Sequence, residues 1–348
     1  MSGGAGNFFE DFHVGQVIRH ATPRTVTAGD TSLYGALYGS RFAVQSSEAF
    51  ARAIGYRHAP ADDLLIFNIV FGKTVPDVSL NAVANLGYAA GRVLAPVYAG
   101  DTLHAVSEVI GLRENSDGKA GVVYIRSTGL KQDATEVVDY VRWVMVKKRD
   151  EASAAPEPHV PKLPSSLHAD ALGDAVPVID GRNYDNVLAG GAQRFGDYEV
   201  GTKIDHVDGV TVEEAEHQLA TRLYQNPARI HFNQHAEADS RYGRRLIYGG
   251  HVISIARALS FNGLANAFHF AAINSGRHVA PLFGGDTVYA WSHLLDRQAI
   301  SGRDDVGALR LRTIATKNRP CRDFPWKSGE EYDPAVILDL DYWAIIPR

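Results

Sequence analysis

The stretch Arg92-Val-Leu-Ala-Pro96-Val-Tyr-Ala-Gly100-Asp101-Thr102 returns as Arg277-His-Val-Ala-Pro281-Leu-Phe-Gly-Gly285-Asp286-Thr287, 185 positions further along the chain. Two more pairs lie on nearly the same offset. Phe9-Glu-Asp-Phe-His-Val-Gly15 returns as Phe195-Gly-Asp-Tyr-Glu-Val-Gly201. Leu37-Tyr38-Gly-Ser40-Arg-Phe-Ala-Val-Gln45 lies over Leu223-Tyr224-Gln-Asn226-Pro-Ala-Arg-Ile-His231. A period near 186 residues is too long for a solenoid unit and reads as a duplicated domain.

The copies share one order of elements. A short extended entry (14–19 and 200–205) leads into a helix (28–38 and 212–224) and then a polar loop. A long apolar helix follows, expected over 60–72 and 251–262. Ile253, Ile255, Ala256, Leu259 and Phe261 leave it little polar face, as suits a helix buried by a sheet. Strands are expected over 102–111, 121–128 and 137–146, and 337–346 repeats the last of these. There the offset has grown to 200, so the second copy carries an insertion, placed at 318–333. A long helix followed by long antiparallel strands describes a helix wrapped by a curved sheet. The expected fold is α+β, a tandem hot-dog with two sheets side by side in one chain. The expected division is 1–150, a connector over 151–193, and 194–348. Pro156, Pro158, Pro161 and Pro164 forbid a regular helix or central strand in that connector.

The formal net charge of −5 comes with no basic block, which argues against nucleic acid as a partner. Cys321 is the single cysteine, so neither an intrachain disulfide framework nor a Cys-rich metal site can form. That usage fits a reducing cytoplasm. The stretch from Met1 to Asn7 has no basic segment or apolar core of a signal peptide, and no apolar run of about 18 residues suggests a membrane span.

The second copy keeps polar groups that the first lacks. His231 stands where the first copy has Gln45, and Asn226 where it has Ser40. Gly249-Gly250-His251 opens the apolar helix, where the first copy reads Asp63-Leu64. A histidine can move protons near neutral pH. A helix start offers free N–H groups and a positive dipole end, and glycine lets a ligand approach them. A thioester carbonyl could be polarised there as an enolate forms. A carboxylate and a bulky side chain would spoil the equivalent place in copy one, so a single active site is expected, in the second copy.

On these residues the chain resembles the MaoC-like family of (R)-specific enoyl-CoA hydratases in its tandem form. The family's loop reads Asp-x-Asn-Pro-x-His. Asn226-Pro-Ala-Arg-Ile-His231 keeps the five-position spacing, the proline follows Asn226, and Tyr248-Gly249-Gly250-His251 follows at the matching distance. Gly285-Asp286-Thr287 is a strand start similar to the family's. The resemblance implies His231 as acid/base, Gly250 N–H as oxyanion donor and an acyl-CoA thioester as substrate. It implies mesaconyl-CoA in particular, whose free carboxylate lies beside the double bond. Gly249, Tyr248, His251, Arg229 and Arg277 are the expected substrate-binding set. Asn226 departs from the family's catalytic aspartate; an amide cannot take a proton from water, so Asn226 is expected to hold the water. No metal or other cofactor is implied, and assembly into a homo-oligomer stays open.

Other residues read more plainly. Asp30, Glu216, Glu214 and His217 default to solvated or capping positions on the first helix of each copy. Arg92 and Arg277 recur in both copies, which favours a structural role. Lys73, Arg244, Arg245 and Lys317 are candidates for the CoA phosphates. A thioesterase with a carboxylate-activated water, or a non-catalytic acyl-CoA binding module, are the rival readings.

Overall fold

The computed structural model describes residues 6–348; the first five, within the Met1–Asn7 stretch that lacks signal-peptide features, lie outside the described residues. The N-terminal half contributes strands β1 (Val17–Thr25), β2 (Ala82–Val93), β3 (Thr102–Glu114), β4 (Ala120–Leu130) and β5 (Glu136–Lys147). The C-terminal half contributes β6 (Lys203–Thr211), β7 (His269–His278), β8 (Thr287–Ala299) and β9 (Val306–Lys317). A small hairpin of β10 (Lys327–Ser328) and β11 (Glu331–Tyr332) precedes β12 (Val336–Pro347). One ten-stranded antiparallel sheet runs β1-β3-β4-β5-β2-β7-β12-β9-β8-β6, and its two halves mirror each other about the β2–β7 pair. The fold is therefore α+β, two hot-dog units sharing a continuous sheet.

Four helices matter for the site: α1 (Ala28–Tyr38), α2 (Asp63–Val78), α3 (Glu214–Leu223) and α4 (Gly249–Leu259). Central helices α2 and α4 pack under the sheet. Tyr38 and Tyr224 share a hydroxyl hydrogen bond of 2.6 Å, and the Asn68 amide donates to Ser254 Oγ at 3.3 Å. Each pair is 186 residues apart. Equivalent residues of two copies meet only near a local two-fold axis, so α1, α3, α2 and α4 surround that axis.

Edge strands are latched alike in both halves. His20 Nε2 pairs with Ser107 Oγ at 2.7 Å, and His206 Nε2 with Ser292 Oγ at 2.8 Å. These buried histidines are satisfied polar groups of the core.

Several expected boundaries shift. Helix α2 runs past Gly72 to Val78, through Pro76. Gly72 does not stop the helix; a Cβ there would overlap the Tyr224 carbonyl, so glycine permits the close approach of the halves. Helix α4 starts two residues earlier than expected, at Gly249, and its course breaks at Asn262 and Gly263, which leave helical conformation. The inserted 318–333 segment folds its hairpin over Trp291 and buried Cys321, with Trp326 donating to Asp339. Strands β2 and β7 were not expected. Gly87 and Gly91 in β2, and Asn274, Ser275 and Gly276 in β7, dilute their periodicity. The connector carries one isolated bridge, from His159 to Leu112, and short helical turns at Ala169–Ala175, Gly181–Asn183 and Asn186–Ala189.

Candidate active site

A cavity of about 350 Å³ lies between the halves. The C-terminal half lines it with Asn226, Ala228, Ile230, His231, the run from Leu246 to Gly249, Val252 and the run from His278 to Leu282. The N-terminal half adds Phe71, Val75, Ser79, Asn85, Tyr88, Arg142 and Val144.

His231 ends a one-turn 3₁₀ helix, Arg229–His231, set by the bend after Pro227. Its Nδ1 lies 2.8 Å from the Leu246 carbonyl. A carbonyl only accepts, so Nδ1 carries the proton and Nε2 keeps its lone pair. Burial lowers its pKa to about 4, partly offset by that backbone bond. The ring is therefore neutral at pH 7 and equipped to accept a proton.

Asn226 is buried, 4% exposed, on the same wall. Its Oδ1 accepts the Ala228 N–H at 3.1 Å, which fixes the amide orientation. Nδ2 is buried without a partner. The group Asn226 can offer a ligand is thus a donor, suited to a water oxygen or a carboxylate.

Helix α4 opens at Gly249, with Tyr248 as N-cap and no side chain capping it. The first N–H groups of a helix have no intrahelical partner. Tyr248 N–H is taken by His217 Nε2 at 2.9 Å, and Gly249, the next residue, lines the cavity. A Cβ at Gly249 would overlap the His278 imidazole, and one at Gly250 would overlap Asn68 Oδ1. Both positions therefore demand glycine. The Tyr248 and His231 rings lie 5.4 Å apart, edge to face, which brings the imidazole beside the helix start.

The equivalent place in the N-terminal half is closed. Asp62 caps its own helix, accepting the Leu64 N–H at 2.9 Å. Asp63 accepts the Phe270 N–H at 2.8 Å and pairs with His269 at 2.9 Å. Burial, then the neighbouring Asp63, pushes Asp62 up to about 6. Gln45 spends its amide on the Phe268 carbonyl at 3.2 Å. An enolate oxygen would meet carboxylates there instead of amides.

The structure brings His231, Asn226, Tyr248 and Gly249 to one cavity, with Gly250 directly behind in the helix start. His251 is buried off the cavity, its Nδ1 2.7 Å from the Tyr38 hydroxyl in the network on the local axis. Arg229 and Arg277 are exposed and do not line the cavity. Among the phosphate candidates, Lys73 is buried against Gln225, Lys317 donates to the Pro281 carbonyl, Arg244 to the Gly284 carbonyl, and Arg245 pairs with Glu214. Asp30 closes a capping box with Thr27 and pairs with Arg24. His217 overturns its default as a solvated helix residue. It is fully buried, held neutral by desolvation and by neighbouring His251 and His231, with its pKa lowered to about 2.

Three wall residues escaped the sequence reading. His278 replaces Val93 of the first copy and stands over Gly249; burial lowers its pKa to about 4. Tyr88 places its hydroxyl 3.4 Å from His278 Nε2. Arg142 lies in strand β5 with apolar neighbours on its face. The change from Val93 to His278 inside the recurring Arg-x-x-Ala-Pro motif was a visible signal for the first of these.

Among the described residues, no group of three or more His, Cys, Asp or Glu is arranged to hold a metal ion, and no helix is long and apolar enough to cross a membrane. Two hot-dog units sharing one continuous sheet, with a cavity between them, define a MaoC-type double hot-dog protein. The fold matches a putative MaoC domain protein dehydratase from Chloroflexus aurantiacus, with a TM-score of 0.97 at 60% identity over 100% of this chain and 99% of that one. It also matches a Mycobacterium tuberculosis protein described as a double hotdog fold, with a TM-score of 0.75 at 24% identity, covering 99% of both. The chain belongs to the mesaconyl-CoA hydratase family, whose model matches residues 3–331. It is 62% identical to a β-methylmalyl-CoA dehydratase of Chloroflexus aurantiacus over 99% of this chain and 97% of that one. It is 57% identical to a mesaconyl-CoA hydratase of Cereibacter sphaeroides over the full length of both.

Proposed function

We infer that this protein is a hydro-lyase that adds water reversibly to the C=C bond of mesaconyl-CoA, giving β-methylmalyl-CoA. The observation that carries the site assignment is the tautomer of His231. The Leu246 carbonyl holds its N–H, so its bare nitrogen is the one left for the cavity. Asn226 Nδ2 holds the water. As the water oxygen bonds to Cβ, His231 Nε2 takes its proton and the π electrons pass to the thioester oxygen. The N–H groups at Gly249 and Gly250 stabilise that enolate oxygen. The imidazolium then returns the proton to Cα as the enolate collapses. Dehydration is the same path reversed. A proton and a hydroxide move and no electrons are transferred, so the chemistry calls for no redox group.

In this reading residues 194–348 are catalytic, residues 1–150 shape the acyl pocket, and 151–193 connect them. The free, buried Cys321 suits a reducing cytoplasm.

The test is to incubate the protein with mesaconyl-CoA and other enoyl-CoA esters. Loss of enoyl-thioester absorbance and the product mass are followed. Hydration is expected, and His231→Ala should reduce it by about 10²-fold or more with the fold intact. Release of free CoA would instead indicate the thioesterase, and binding without turnover the acyl-CoA binding module.

A further inference from the structure

The cavity wall carries a charge that the hydration chemistry does not use. Arg142 stands on the inner face of β5, in a period-two run whose other members are Val138, Tyr140, Val144 and Val146. Its side chain is fully buried, 0% exposed. Nη2 donates to Thr74 Oγ1 at 2.8 Å, and Nη1 and Nη2 each lie 3.3 Å from Ser79 Oγ. The guanidinium sits 4.2 Å over the Phe71 ring, and Nε is buried with no partner. Among the described residues, no carboxylate lies within ion-pair distance of it. Other strand arginines do have one: Arg126 pairs with Asp139 and Arg310 with Asp341.

A buried cation without a counter-charge is costly, and burial lowers the pKa of this one from the ordinary guanidinium value. A guanidinium still keeps its proton and presents a fork that matches a carboxylate. Beside it, Asn85 of β2 faces Val144 in register, and both its side-chain polar atoms are buried without partners. Both residues line the cavity. In the C-terminal half the position 200 residues on is Tyr342, neutral and stacked on Phe270 at 4.6 Å. Only the half without the acid–base loop carries this charge.

We propose that Arg142 is the receptor for the free carboxylate of a dicarboxylyl acyl-CoA, so that the N-terminal copy selects the substrate class on which the C-terminal copy acts. The proposal rests on the hydratase reading. In mesaconyl-CoA the carboxylate is attached to the carbon that receives water, so it enters the pocket together with the double bond. That carboxylate supplies the counter-charge Arg142 lacks, and Asn85 adds a donor.

The test compares mesaconyl-CoA with tiglyl-CoA, in which a methyl group replaces the carboxylate. In the full-length protein, Arg142→Gln should cut the kcat/KM preference for mesaconyl-CoA over tiglyl-CoA by about 100-fold, the size of a lost charge-assisted hydrogen bond. Arg142→Lys should restore part of that preference. An equal loss on both substrates, or an unchanged ratio, would overturn the proposal. Inhibition of the unaltered protein adds a test that does not depend on the variants folding. Methylsuccinyl-CoA should bind at least about tenfold tighter than 2-methylbutyryl-CoA; equal affinities would overturn it. Failure to hydrate any enoyl-CoA would sink the hydratase reading, whereas the inhibitor pair still reports on the carboxylate receptor alone.

Discussion

Leu246, a residue with no chemistry of its own, decides what His231 can do. Its carbonyl holds the Nδ1 proton, and burial holds the ring neutral. The acid limb of kcat/KM should therefore fall near pH 4, far below the ordinary histidine value of about 6.5. A pH–rate profile breaking near 6.5 would contradict this role. Asn226 makes a second prediction. A carboxylate at this place would face the substrate's own, so Asn226→Asp should lower kcat/KM for mesaconyl-CoA by about tenfold or more. Turnover as fast as the parent's would show that charge avoidance is not why an amide stands here. Asn226 and His231 were legible because their spacing in a loop is local information. His217 was not: it reads as a face of α3 until Tyr248, 31 residues later, turns its N–H onto it. Arg142 was hidden for the same reason, since only the folded neighbourhood shows that no carboxylate meets it.

Helices α2 and α4 occupy equivalent places and differ in how they begin. Asp62 and Asp63 fill the positive end of α2 with carboxylates, whereas Tyr248, Gly249 and Gly250 leave that of α4 open. Gly249→Ala would drive a Cβ into His278 beside that opening. It should reduce kcat/KM by about 10²-fold, because the shifted and covered amide no longer reaches the thioester oxygen, and should lower Tm by a few degrees as His278 is displaced. Full activity in the alanine variant would remove this helix start from the mechanism. The strongly patterned elements, α1, α2 and β3 to β5, could be read from the chain alone. The two central strands could not. β2 and β7 pair with each other across the halves, so their glycines and polar residues are compensated by neighbours on both sides rather than by their own periodicity.

At the scale of the molecule, residues of both halves line the cavity between them. The same packing leaves His206, His217, His231, His251 and His278 neutral, each with a pKa of about 4 or lower. An unfolded chain would protonate them near 6.5. Between that value and about 4 the unfolded state binds more protons, so stability is full above pH 6.5 and is lost as the pH falls. Each histidine contributes up to about 1.4 kcal/mol per pH unit in that window. Tm should drop by more than about 10 °C from pH 7 to pH 5; a flat Tm would show that these rings are not held neutral. The most direct measurement of the whole account is a crystal structure with methylsuccinyl-CoA bound. The account places the thioester oxygen within hydrogen-bond reach of the amides at Gly249 and Gly250, with the acyl group beside His231. A thioester seated at the start of α2, or outside the shared cavity, would contradict it.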